Sequence, residues 1–206
     1  MEEGGHYYTV YITSLAVGFS NSIAQQLATL AQMPDQIGAI DAYTLHVNRC
    51  VRGLPFTAVV DLTGQKRKVS DDWRYLAESV LHSLVDRSAN NDSGFQRRIT
   101  RAMLIGTNPV SLQFGLALHR IGDTFAHTDM HNVPMMYTSS RSSEYWGVCS
   151  VSEAGHGRDG HAPDYPFVRQ QLFREYVTEL YDILLTKARE ANSACHLTQL
   201  GRMSLP

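Results

Sequence analysis

The chain has 206 residues, 43% hydrophobic and 18% charged, with a formal net charge of -2. That length supplies one substantial core, and one domain over 1–206 is the default expectation. The near balance of charge excludes a broad electrostatic attraction to nucleic acid or to a membrane surface.

Met1-Glu2-Glu3-Gly4-Gly5 is acidic and short, without the basic start and apolar stretch of a signal peptide. No apolar run has the length of a transmembrane segment. The expectation is therefore a soluble, cytoplasmic chain, unless a dedicated secretion system exports it. Cys50, Cys149 and Cys195 are scattered and odd in number, with neither a disulfide framework nor a CxxC pattern.

In chain order, the first predicted helix runs from about His6 to Val17, with Gly18 as its stop. Ser20 caps a second helix whose apolar side carries Ile23, Ala24, Leu27, Leu30 and Ala31. Pro34 disfavours helix just before it, which places the end near Met33. Asp41 to Thr63 is irregular, and Val59-Val60 with Lys66 to Val69 suggests a small hairpin about a Thr63-Gly64 turn. Ser70 caps a helix over Asp71 to Asp86, with Trp73, Leu76, Val80, Leu81 and Leu84 as its apolar side.

Asn90-Asn91-Asp92-Ser93-Gly94 breaks the pattern before a helix that ends near Gly106. Asn108-Pro109 then reads as an N-cap with proline in the first helical position. Val110, Phe114, Ala117, Ile121 and Phe125 mark a buried stripe, widened by Leu116 and Leu118. From Asn132 to Pro166 glycine and serine punctuate a long irregular loop. The last helix is placed from about Pro166 to Ala191, on a stripe of Val168, Leu172, Phe173, Tyr176, Val177, Leu180, Tyr181 and Leu184. The sum is an all-α, multi-helix bundle.

The informative stretch is His119-Arg-Ile-Gly-Asp123-Thr-Phe-Ala-His127-Thr-Asp-Met-His131. A four-residue step on a helix rotates a side chain by roughly 40° and climbs roughly 6 Å. His119, Asp123 and His127 therefore stack on one face. Imidazole nitrogen and carboxylate oxygen are zinc ligands. Because the helix is largely buried, its ionisable face must find partners inside the protein.

Other ligands must close such a site. His156-Gly-Arg-Asp-Gly-His161-Ala-Pro-Asp164 is the best second source, and His161 with Asp164 are its favoured members. His6 taken alone reads as an exposed residue near the N-terminus, and Asp35 as a helix-end carboxylate. His46 and His82 stay ambiguous, and His82 suits a core histidine as well as a ligand. Asp41 and Asp129 are candidates for orienting imidazoles.

His119-Arg-Ile-Gly-Asp123 resembles the H-x-x-G-D core of the zinc-dependent phospholipase C and single-strand-specific zinc nuclease superfamily. His6-Tyr7-Tyr8 through Ala31-Gln32-Met33-Pro34-Asp35 also resembles uncharacterised bacterial relatives of that group. The resemblance implies an all-helical fold around two or three Zn2+ ions. His119 and Asp123 match its core; His6 and Asp35 match by position. His127 stands for the following histidine and His161 with Asp164 for the later pair, at spacings that depart from the family's. His46 or His82 stands for its mid-chain histidine.

The implied activity is phosphodiester hydrolysis, with Asp35 or Asp123 positioning the water. Phospholipid or another small phosphodiester is the expected substrate, and nucleic acid the alternative, disfavoured by the lack of basic surface. Tyr137, Tyr145 and Trp146 could shape a lipid or base pocket, or simply pack. A bacterial toxin or effector domain would suit a compact hydrolase of this kind. The rival is a non-catalytic helical protein with a structural metal.

Overall fold

A computed structural model describes residues 4–37, 59–60, 66–67, 76–83, 93–127, 167 and 169–203. The fold is all-α, as the periodicity predicts. A π-helical turn, Gly4–Tyr8, leads into α1 (Thr9–Ala16), and α2 spans Asn21–Gln36. A two-residue ladder joins β1 (Val59–Val60) to β2 (Lys66–Arg67), antiparallel, with Val59 opposite Arg67. A second π-helical turn covers Leu76–Leu81, and α3 (Ser93–Gly106), α4 (Leu112–Ala126) and α5 (Gln170–Met203) complete the described elements.

α1 reverses into α2 as predicted. Gly18 takes φ 99°, open to glycine at no steric cost, and Phe19 N–H donates to Ser14 O at 3.1 Å while Gly18 N–H donates to Leu15 O at 3.0 Å. Ser20 Oγ accepts from Ile23 N–H at 3.4 Å and caps α2.

α2 does not stop before Pro34. It continues to Gln36, and Ile37 N–H closes the last turn on Met33 O at 3.2 Å. Proline so near the end deletes one intrahelical bond and leaves the next two residues helical. That extra half-turn brings Asp35 inward.

α4 is the central helix, touching α2, α3, α5 and both π-helical turns. Its cap is Ser111 rather than Asn108: Ser111 Oγ accepts from Phe114 N–H at 3.2 Å. Asn108 instead makes the preceding turn, its Oδ1 accepting from Val110 N–H at 3.1 Å and its carbonyl from Ser111 N–H. Val110 therefore lies before the helix and is 50% exposed, outside the stripe expected of it. Phe114, Leu118, Ile121 and Phe125 are buried with Leu27, Leu104, Tyr176 and Leu180 in one apolar cluster. Each large side chain so buried contributes roughly 1.5–3 kcal/mol.

Gly115 sets the α2–α4 approach, because a Cβ there would lie 2.2 Å from Leu30 Cβ. α5 starts later and ends later than predicted, at Gln170 and Met203. Phe167 stands 70% exposed ahead of it, and Tyr181 of the predicted stripe is 40% exposed.

The predicted helix over 71–86 takes another form in its described part. The turn Leu76–Leu81 is π-helical and ends at His82 and Ser83, where Ser83 has φ 54°. Leu76 and Val80 are half exposed, against the predicted apolar side, whereas Ala77 and His82 are buried. The wider π-helical winding moves the inward face off the 3.6-residue period. No helix among the described residues is long and apolar enough to cross a membrane.

Candidate metal centre

Five side chains from four elements meet beside the middle of α4. His6 comes from the first π-helical turn, Asp35 from the end of α2, His82 from just after the second π-helical turn, and His119 and Asp123 from α4. The side chains of His6, His119 and Asp123 are 0% exposed and that of His82 is 2% exposed, but Asp35 is 26% exposed. Solvent thus reaches the group at Asp35.

Asp123 is the hub. Its Oδ1 lies 3.0 Å from His6 Nε2; its Oδ2 lies 3.0 Å from His119 Nε2 and 3.1 Å from His82 Nδ1. His119 Nε2 and His82 Nδ1 are themselves 3.0 Å apart. Asp35 stands farther out, with Oδ2 3.7 Å from His6 Nε2, and Oδ1 3.7 Å from His119 Nε2 and 3.8 Å from His82 Nδ1. His6 and His119 stack at 4.1 Å, and His82 meets His119 edge-on at 4.7 Å.

The tautomer of His119 follows from its other nitrogen. Nδ1 is 2.8 Å from Ala31 O. A carbonyl oxygen only accepts, so Nδ1 carries a hydrogen, which leaves Nε2 as the ring atom able to give a lone pair to a metal. This is the backbone-carbonyl support common behind metal-bound histidines. His127 has a similar bond, its Nδ1 donating to His82 O.

His127 does not continue the α4 row. The helix ends at Ala126, and His127 is the cap residue, with Nδ1 3.8 Å from Asp123 Oδ2. The described rotamer supports His82 from behind.

Gly122 makes room for His6. A Cβ there would lie 2.9 Å from His6 Cε1 and 3.0 Å from His6 Nδ1. The glycine of His119-Arg-Ile-Gly-Asp123 thus lets an imidazole lie against bare helix backbone. Far from exposed, His6 is fully buried, and Tyr176 OH donates to the adjacent Gly5 O at 3.3 Å.

Arg120 secures the His82 segment. It is 6% exposed; Nε donates to Thr100 Oγ1 at 3.0 Å, and its other nitrogens donate to Gln96 Oε1 and Val80 O. One guanidinium so joins α4, α3 and the turn that precedes His82. The sequence reading passed over this residue, although an arginine between two ligands on a buried helix was the available signal.

Burial pushes the Asp123 carboxyl up, but attraction to His127, His119 and His6 outweighs it and holds the group well below the usual carboxylate range. Burial raises Asp35, and repulsion from Asp123 adds to that against attraction from His119 and His82. Burial also lowers His6 well below an ordinary histidine, helped by His119 and opposed by Asp123.

Two overlapping sets can hold a cation: His6 with Asp35 and His119, and His82 with His119 and Asp123. The structure therefore gathers His6, Asp35, His119 and Asp123 of the expected ligands together with His82, one of the two mid-chain alternatives, and leaves His127 outside both sets. His46, His161 and Asp164 lie outside the described residues, as do Asp41, Asp129, Tyr137, Tyr145 and Trp146.

Residues 1–183 match the family of unknown function DUF6765, and the chain belongs to that family. No curated protein matches the chain, and neither does any solved structure.

Proposed function

We propose that the chain is a metal-dependent hydrolase of phosphodiester bonds, with phospholipids or other small phosphodiesters as its substrates. The observation behind it is the convergence of buried ring nitrogens on a buried carboxylate. His119 Nε2, His82 Nδ1 and Asp123 Oδ2 form a triangle with edges of 3.0 to 3.1 Å. One ring hydrogen on His82 can point at only one of the other two, since they lie roughly 60° apart by that triangle and a good hydrogen bond is near linear. Zinc with bonds of about 2.0–2.2 Å in a tetrahedron separates its ligands by about 3.3–3.6 Å, close to the spacing here.

A bound zinc supplies Lewis acidity at a phosphoryl oxygen and makes water a nucleophile near neutral pH. The chain's own residues do the rest. Asp123, buried among three imidazoles, holds the centre together. Asp35, the solvent-reachable member, stands where water enters and orients it by accepting its hydrogen. Ala31 O fixes the His119 ring through its Nδ1–H. The resemblance of His119-Arg-Ile-Gly-Asp123 to the zinc phospholipase C and nuclease motif favours phosphodiesters, and the net charge of -2 favours a small ester over a polyanion.

A second reading has its own observation. His82, His119, Asp35 and Asp123 are enough to fill a tetrahedral shell, as in a structural zinc site. Assays of the zinc-loaded protein on a soluble phosphocholine ester, phospholipid micelles and single-stranded DNA separate the two. The hydrolase reading expects turnover of the first or second substrate, abolished by Asp123→Ala and by a chelator. Zinc binding with no turnover of any of the three leaves the structural reading.

A further inference from the structure

We infer that Gln32 and Asp35 together hold one water molecule by both of its hydrogens, and that this water attacks the phosphodiester. This rests on the hydrolase reading above and adds a residue to it. Gln32 lies on α2 one turn before Asp35 and is 6% exposed. Its Nε2 donates to Asp35 Oδ2 at 3.3 Å. A carboxylate only accepts, so this bond fixes which end of the amide faces Asp35. The other end, Oε1, is buried and has no hydrogen-bond partner among the described residues. The same helix buries Ala24, Leu27, Ala28 and Ala31, and leucine or methionine at position 32 would match glutamine in helix propensity. For the fold alone, a buried amide with an unmet acceptor is the poorer choice.

The ligand of that acceptor has to be a hydrogen donor. Asp35 is the member of the centre that solvent reaches, at 26% exposure, so the donor at hand is water. The Asp35 carboxylate keeps acceptor positions after the Gln32 bond, having about four in all. A water between amide oxygen and carboxylate gives one hydrogen to each and turns its lone pairs away from both. Hydrolysis forms a bond from the water oxygen to phosphorus and breaks the ester bond between phosphorus and the leaving oxygen. One water proton passes through Asp35 to the leaving alkoxide, and the other stays on the new phosphoryl oxygen. Gln32 exchanges no proton and acts by direction alone. The same turn of α2 supplies Ala31 O, which holds the His119 ring, so one stretch of backbone places both the water and an imidazole.

Gln32→Met is the test, because methionine has similar length and helix propensity and is at most a weak acceptor. A high-resolution crystal structure of the zinc-loaded wild type should show one water within hydrogen-bonding distance of both Gln32 Oε1 and Asp35, and the variant should lack it. The variant should keep the wild-type zinc content and melt at the same temperature or higher, since a buried acceptor without a protein partner has been removed. On a soluble phosphocholine ester its kcat should fall about 100-fold with KM nearly unchanged. A lowered melting temperature in both Gln32→Met and Gln32→Leu would make the amide a structural bond and overturn the inference, as would a wild-type structure without the bridging water. Turnover that survives Gln32→Met at the wild-type rate overturns it and leaves the hydrolase reading intact. A bridging water in a protein that turns over no phosphodiester removes the hydrolase reading and leaves the water site standing.

Discussion

The His6 and His82 arms reach the same carboxylate from opposite sides and are held by different means. His6 sits in a turn continuous with α1, packed on the bare backbone at Gly122 and closed over by Tyr176. His82 follows a short π-helical turn whose half-exposed apolar residues give little anchorage, and the buried Arg120 bonds tie that turn to α3 and α4. Packing spreads the hold on the first arm over many contacts. The second arm depends on a few directional hydrogen bonds, which are lost together if one residue changes.

The largest effect should come from the residue common to both arms. Asp123→Ala removes an oxygen from each side and should weaken zinc binding more than about 100-fold, beyond the 10–100-fold typical of supporting residues. Isothermal titration with zinc reads it directly. Retention of near wild-type affinity would mean that Asp123 is not the hub.

Arg120→Met should break the comparison on one side. It removes the guanidinium donor to Gln96 Oε1, Val80 O and Thr100 Oγ1, and losing hydrogen bonds made by a buried charged group costs about 1–3 kcal/mol. Urea unfolding should show a loss of about 1–3 kcal/mol. Zinc affinity on the His82 side should fall about 10–100-fold with the His6 side nearly unchanged. An equal fall on both sides would show that Arg120 acts on the whole bundle.

Two glycines of α4 sharpen the contrast between fold and site. Gly115→Ala presses on Leu30 Cβ, an atom fixed to the α2 backbone, and should cost about 1–3 kcal/mol as an overpacked helix contact. Gly122→Ala presses on the His6 ring instead. The gain in helix propensity is common to both variants, but this contact is looser, 2.9 Å against 2.2 Å, so stability should move less than in Gly115→Ala. Metal content should move more. Thermal melts and elemental analysis of the two variants, side by side, check the reversal.

Mild acid should have the smallest effect on the fold and a clear one on metal. His6 is depressed below 6.5, so the unfolded chain takes up its proton first and stability falls as pH drops from about 6.5 towards the folded value. Asp35 is raised above 3.8 and acts oppositely, the metal-free fold gaining as pH falls through the raised value towards 3.8. Asp123 is depressed, so its contribution holds above 3.8 and is lost only as pH falls through its lowered value. Between pH 7 and pH 6 the His6 term acts through its unfolded value of 6.5, and the melting temperature of the metal-free protein should fall slightly. Zinc, which competes with protons for the same atoms, should leave progressively over that interval. A melt series with and without chelator at each pH measures both.

Much of α4 was legible because its signal is periodic. The four-residue step from His119 to Asp123 and the apolar stripe beside it both follow from 3.6 residues per turn. His127 escaped that logic because the helix ends one residue before it, at a boundary that period alone does not set. Asp35 is inward because Pro34 fails to end α2, a case where packing overrides local preference. The choice between His46 and His82 could not be made from spacing. His82 reaches Asp123 through a π-helical turn and a residue with φ 54°, and neither leaves a hydrophobic period to read. His6 looked exposed in sequence because the glycine that receives it is 116 positions away.

The most direct test is the metal content of the wild-type protein, purified without chelator and again after zinc reconstitution, by elemental analysis. About two equivalents of zinc per chain, removed by chelator with a fall in melting temperature, is the predicted result. A protein that takes up no zinc and melts at the same temperature with or without it would contradict the metal centre, and the hydrolase reading with it.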